Sequence, residues 1–224
     1  MQNSKNNILF PGGLKPFHDG HLLILYSYVK NGKCPVNEIQ IIISKKDRCG
    51  ITADSTSAFL EIIKKNIEIL LDAEIKIIVS EDYSPIRTCY RIVGNGQENE
   101  LFCMTASDKD NDARLNNFIN DWSIGGKYYK GYNTLFSVDT DITPALYDRK
   151  DEFNNCPVSS SVVRNDIINN DFENFLTSYK FMLEKNILTT DILSDYFNKL
   201  KSLLKNDENN SKKLNLIKKN NNKY

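Results

Sequence analysis

Residues 8–21 read Ile8-Leu9-Phe10-Pro11-Gly12-Gly13-Leu14-Lys15-Pro16-Phe17-His18-Asp19-Gly20-His21. Three apolar residues in a row form a brief buried strand, the Gly/Pro run breaks it, and the stretch from His21 to about Lys30 reads as helix. Strand, glycine loop, helix is the opening of a β-α unit, and the rest of the chain repeats the alternation. Ile39 to Ser44 (IQIIIS) is a second strand, and Asp54 to Leu71 is a helix on which Phe59, Ile62, Ile63, Ile67 and Leu70 share one face. Ile75 to Val79 is a third strand. Pro85 opens the next helix, because its missing N–H costs nothing in a first turn, and Gly94-Asn95-Gly96 stops it. Leu101 to Thr105 is a fourth strand, residues 111–122 are a helix, Thr134 to Val138 is a fifth strand, and a helical part starts at Ser159.

Strands joined by helical crossovers pair in parallel, so this order predicts a Rossmann-like, doubly wound α/β fold: a five-stranded parallel sheet covered on both faces, followed by a helical C-terminal part. The expected division is an α/β domain over residues 1–170, helices packed on it over 171–206, and a Lys/Asn-rich tail over 207–224. That tail has too few apolar residues to offset the entropy of ordering it. Ligands of such sheets bind at the carboxyl ends of the strands, which directs attention to the loops that follow them.

Composition narrows the partners. In 224 residues, 29 Lys+Arg balance 29 Asp+Glu. The chain has no overall basic field to hold nucleic acid and nothing to draw it to anionic lipid, so the expected partner is small. Five cysteines, Cys34, Cys49, Cys89, Cys103 and Cys156, are odd in number and lack C-x-x-C spacing, which speaks against disulfides and structural zinc. The first ten residues have no signal-peptide pattern and no apolar run reaches membrane-spanning length, so the expectation is a cytoplasmic protein. The apolar C-terminal helices can pack on the sheet or on a second copy of the chain, which keeps a homo-oligomer among the expected partners.

Both histidines of the chain, His18 and His21, fall within four residues of the first loop. Gly12 and Gly13 let backbone approach a ligand, and His21 heads a helix, where unpaired N–H groups and the dipole favour an anion. Two imidazoles around one turn can donate to a phosphate group as charge builds on it. A zinc site needs further ligands, and a third histidine does not exist here. The second cluster is Val158-Ser159-Ser160-Ser161-Val162-Val163-Arg164. Its serines are natural N-caps, and the helix they start offers more phosphate donors. After the second strand, Ser44-Lys45-Lys46-Asp47-Arg48 places cations at another strand end, with Lys45, Lys46 and Arg48 as candidates to meet a substrate.

Taken together, the two clusters resemble the nucleotidylyltransferase superfamily, with its HxGH loop early and its (I/V)SSTxxR segment late. His18-Asp19-Gly20-His21 matches the first pattern, and Val158 to Arg164 matches the second with Ser161 in place of Thr. The resemblance covers roughly residues 7–170. It implies that His18 and His21 bind and polarise phosphates, that Gly12, Gly13 and Leu14 give backbone contacts, and that Ser159, Ser160, Ser161 and Arg164 hold the β- and γ-phosphates. It also implies Lys46 as a catalytic cation, Lys45 and Arg48 on the substrate, and Mg²⁺ arriving with the nucleoside triphosphate. The activity implied is transfer of a nucleoside monophosphate, AMP from ATP in the first instance, to a phosphate-bearing small molecule, with release of pyrophosphate.

The segment Thr105-Ala106-Ser107-Asp108, with Phe118 and Trp122 beyond it, is similar to the G-x-D…F…W stretch of nicotinamide mononucleotide adenylyltransferases, which would set Asp108 near the nucleotide ribose. Thr88, three residues after Pro85, is similar to another stretch of that family and would face the acceptor. Phosphopantetheine adenylyltransferases share the Ser-Lys-Lys run and an SSS form of the late motif. Cytidylyltransferases share HxGH, but their late motif carries an Arg that Asn154-Asn155-Cys156-Pro157 lacks. A different class stays in view: a module that keeps this fold and grips a nucleotide without turning it over.

Overall fold

In the computed structural model, which describes residues 4–30, 35–82, 84–105, 113–132 and 159–204, the alternation becomes a sheet of four parallel strands. They are β1 (Lys5–Gly12), β2 (Glu38–Ile43), β3 (Glu74–Val79) and β4 (Glu100–Met104), in the order β3-β2-β1-β4. β1 runs in register with β2 from Asn7 opposite Glu38 to Gly12 opposite Ile43, and with β4 from Lys5 opposite Glu100 to Leu9 opposite Met104. The chain builds outward from β1 to β3, then returns and lays β4 on the other side of β1. That reversal makes a topological switch point between β1 and β4, the place where open α/β sheets bind their ligands.

The helices are α1 (Asp19–Lys30), α2 (Ala53–Leu71), α3 (Pro85–Gly94), α4 (Ala113–Trp122), α5 (Ser160–Ile168), α6 (Phe172–Thr177) and α7 (Lys180–Glu184), with α8 over residues 190–204. Strand side chains alternate between two cores, as the period of two demands. Ile8, Phe10, Ile39, Ile41, Ile43 and Ile75 point into one, shared with α1, α2 and the C-terminal helices. Leu9, Ile42, Phe102 and Met104 point into the other, closed by Cys89, Val93, Phe118 and Trp122 from α3 and α4. The arrangement is a Rossmann-like α/β fold.

One sequence expectation changes here, and another falls on residues outside the described ones. On α2 the buried stripe is Phe59, Leu60, Ile63, Ile67 and Leu71, whereas Ile62 is 62% exposed and Leu70 is only partly covered. The stripe advances by four residues per step, and Ile62 sits one residue, about 100° of helix, away from it. The sheet has four strands among the described residues, and the expected fifth strand, Thr134 to Val138, lies outside them, as do Asp108, residues 151–158 and the 207–224 tail.

Of the C-terminal apolar residues, Phe175, Phe181 and Met182 are buried and Phe172, Leu176 and Leu183 pack around them, all in the core that α1 and α2 share. Tyr196 of α8 stacks on Phe59 of α2 with ring centres 3.7 Å apart. Packing of these helices therefore reaches the underside of the loop after β1. No described helix is long and apolar enough to cross a membrane.

Candidate active site

The loop after β1 starts with a backbone constraint. Leu14 takes a left-handed conformation, φ 52°, and its side chain is buried. It folds back over Gly12 so closely that a Cβ there would lie 2.8 Å from Leu14 Cδ2, whereas a Cβ on Gly13 would meet only Arg48 Nε, at 3.9 Å. Gly12 is a glycine because Leu14 occupies its side-chain space, and Gly13 leaves backbone open beneath the Arg48 guanidinium. With its side chain in the core, Leu14 can offer a ligand only its backbone.

His18 is buried and His21 half-buried at the start of α1, with ring centres 3.9 Å apart. Phe17 stacks on His21 at 5.4 Å. Gly20 N–H donates to His18 Nδ1 (3.1 Å), and His18 N–H donates to His21 Nδ1 (3.3 Å). A ring nitrogen that accepts carries no proton, so both neutral imidazoles bear theirs on Nε2. His18 Nε2–H then donates to Ser160 Oγ at 3.2 Å, and the Ser160 hydroxyl donates to Pro16 O, also at 3.2 Å.

This contact joins the two sequence clusters. Ser159 caps α5, its Oγ accepting from Val162 N at 3.3 Å, and the next residue, Ser160, reaches the loop. Arg164, one turn further on, donates from one guanidinium nitrogen to Lys15 O (2.7 Å) and from the other to Ser161 Oγ (3.2 Å). His18, Ser160, Ser161 and Arg164 thus lie together. Lys45 and Lys46 stay exposed on the loop after β2, and Arg48 is the member of that cluster that reaches the glycine loop.

Thr88 is elsewhere. It is buried at the start of α3, where its hydroxyl meets Ser80 Oγ at 2.8 Å and donates to Asp82 Oδ2 at 3.5 Å. Phe118 and Trp122 are core side chains, and Thr105, the last described residue before Asp108, ties β4 to β1 through Leu9 O (2.9 Å from its N–H).

Two residues missed by the sequence reading carry much of the geometry. Lys15 is 1% exposed, and its ammonium donates to Ser44 O at 2.6 Å and to Lys46 O, stapling the loop after β1 to the loop after β2. Burial pushes its pKa below the ordinary lysine value, and the neighbouring Arg48 adds to this against the opposing pull of Asp47. Asp19, between the two histidines, is also buried, and accepts from Phe181 N (2.6 Å) and Met182 N (3.1 Å). Burial raises its carboxyl to about 7 despite those two amide bonds, with the charge on Glu184 acting in the same direction. The sequence shows that a Lys lies inside the glycine loop and a carboxylate inside the HxGH motif, but not the backbone groups they meet.

Among the described residues no three His, Cys, Asp or Glu side chains are grouped to hold a metal ion. The first four N–H groups of α1 are taken within the protein, by Ser178 O, His18 Nδ1 and His18 O. What the arrangement offers an anion is therefore the positive end of the helix dipole, the imidazoles, the α5 hydroxyls and the Arg48 and Arg164 guanidinium groups around the half-buried Gly12–Gly13 backbone.

No family model matches the chain, and no curated protein matches it. Among solved structures it is similar to the nicotinic acid mononucleotide adenylyltransferase of Plasmodium falciparum complexed with NaAD, with 14% identity, a TM-score of 0.41, and 82% of this chain and 98% of that chain covered.

Proposed function

We propose that this chain is a nucleotidyltransferase that moves a nucleoside monophosphate, AMP from ATP, onto a phosphate-bearing small molecule and releases pyrophosphate. The observation that carries the reading is the hydrogen bond between His18 Nε2 and Ser160 Oγ, which brings two separate phosphate-binding patterns into one site beside the switch point of the sheet.

In this reading an oxygen of the acceptor phosphate attacks the α-phosphorus, the new P–O bond forms as the α–β bridge breaks, and pyrophosphate leaves without a covalent enzyme intermediate. The residues contribute position and charge. His21, at the positive end of the α1 dipole, meets the α-phosphate, Ser161 and Arg164 meet the departing phosphates, and Arg48 covers the glycine loop. Lys46, exposed with Lys45 on the adjoining loop, is the cation assigned to the incoming acceptor. Mg²⁺ enters as part of the nucleotide substrate, since a hard cation suits phosphate oxygens and water.

Nicotinamide mononucleotide is the first acceptor to try and phosphopantetheine the second. Phe118 and Trp122 lend neither any support, because both are core. Pyrophosphate release by the purified chain with Mg²⁺, measured for ATP, CTP, GTP and UTP against each acceptor, tests the proposal. One productive pair supports it and names the substrates, while nucleotide binding without turnover across the panel favours a binding module.

A further inference from the structure

The face of the histidine loop that turns away from the proposed ligand is held by one short stretch of the C-terminal part. Four buried or half-buried bonds connect them. Asp19 N–H donates to Ser178 O at 3.1 Å, and the Asp19 carboxylate receives Phe181 N and Met182 N at 2.6 and 3.1 Å. The fourth runs from the Tyr179 hydroxyl to Phe17 O at 2.8 Å. Phe17 and Asp19 flank His18 on both sides in sequence, so the backbone that carries this imidazole is anchored before and after it by residues 178–182. Tyr179 is fully buried against Phe59 and Phe175, which fixes its hydroxyl.

An anchor of this kind has little to do with sheet stability as such. The core between α2 and the C-terminal helices is already supplied by Phe59, Phe175, Phe197 and Leu200, none of which needs a polar partner. What the four bonds add is direction: they set where the loop backbone sits relative to α7, and through it the 3.9 Å spacing of the two rings. We infer that Asp19 and Tyr179 are positioning residues, through which docking of residues 178–182 sets the geometry of the His18–His21 pair. For its effect on turnover this inference rests on the nucleotidyltransferase reading; for its effect on the rings it does not.

The chain contains two histidines, both in this loop, so imidazole nitrogen signals of the intact protein report on the pair without overlap. The experiment compares wild type, Tyr179→Phe and Asp19→Asn by long-range ¹H–¹⁵N spectra of the imidazoles and by kcat and KM for pyrophosphate release. The expected result is displacement of both imidazole patterns while backbone amides away from the loop stay in place. With it should come a fall in kcat of roughly tenfold or more and a KM for nucleotide that changes much less, the signature of misplaced groups. Should Asp19→Asn not fold, Tyr179→Phe, which removes one hydroxyl, decides alone. Unchanged imidazole signals in a folded variant would overturn the inference. A wild type without turnover would count against the function proposed above, and the imidazole spectra would still settle the positioning role.

Discussion

Ser160 Oγ sits 3.2 Å from His18 Nε2 although 142 residues separate them in the chain. Because His18 Nδ1 is occupied by the Gly20 N–H, this contact fixes the ring's tautomer as well as its position. Loss of the hydroxyl should therefore be felt at the imidazole.

Ser160→Ala removes both the acceptor for His18 Nε2–H and the donor to Pro16 O. We expect a stability loss of ~1–2 kcal/mol, the usual cost of unpaired groups at a partly buried site, and a larger proportional loss of kcat than of nucleotide affinity. Ser160→Thr, which keeps the hydroxyl, should recover most of both. Urea unfolding and steady-state kinetics check the pair, and an alanine variant with wild-type kcat would show that the contact has no part in turnover.

Lys15→Met fills the same space without the ammonium and leaves Ser44 O and Lys46 O without their donor. The expected destabilisation is ~2–3 kcal/mol, in the range for hydrogen bonds to a charged group. The loop carrying Lys46 and Arg48 should loosen with it, raising KM for the acceptor or nucleotide. Denaturant midpoints and the two KM values measure this, and a variant as stable as wild type would contradict the staple.

Gly12 and Gly13 should part company when each becomes alanine. At Gly12 the new methyl must displace the buried Leu14 side chain, and overpacking of that kind typically costs ~1–3 kcal/mol. At Gly13 the methyl meets Arg48 at ordinary contact distance, so folding should be close to wild type and any defect should lie in ligand binding. Thermal unfolding of the two variants side by side tests the difference.

Asp19 gives a pH dependence whose sign is set by its raised pKa of about 7. The folded carboxyl holds its proton more firmly than an unfolded one, near 3.8, so Asp19's contribution is full below about pH 4 and is lost as pH rises through 7. Between those values stability should fall with pH, by at most ~1.4 kcal/mol per unit for one proton. Glu184 and the Tyr179 hydroxyl are titratable groups that face it, with His18 and His21 close by in the chain, and Tyr179, fully buried, stays protonated throughout. Asp19→Asn should flatten the slope in urea titrations run from pH 4 to 8, and an unchanged slope would assign it to other groups.

Much of this molecule was legible in its residues. Apolar runs such as IQIIIS suit a strand buried on both faces, and their alternation with helical stretches led to a parallel sheet in which β2, β3 and β4 start and end within one residue of where they were expected, while β1 runs from Lys5 to Gly12 rather than only Ile8 to Phe10. The motifs singled out His18, Ser160 and Arg164, which lie 142 or more residues apart in sequence across the two clusters and which the fold brings together at the starts of two helices. Ile62 was misplaced because a one-residue error in phase turns a helix position by about 100°, and isoleucine gives no sign of which side it faces. Lys15, Asp19 and Tyr179 were missed for a different reason. Their roles lie in contacts to backbone carbonyls and amides, and backbone partners leave no trace in the sequence of side chains.

The most direct test follows the α-phosphorus itself. Incubated with Mg²⁺, ATP labelled at the α-phosphate and nicotinamide mononucleotide or phosphopantetheine, the chain should transfer the label to the acceptor in step with pyrophosphate release, and His21→Ala should slow this by ~10²–10³-fold. Label that remains in ATP, or appears as AMP or ADP with no acceptor-linked product from any nucleotide and acceptor pair, would contradict nucleotidyl transfer.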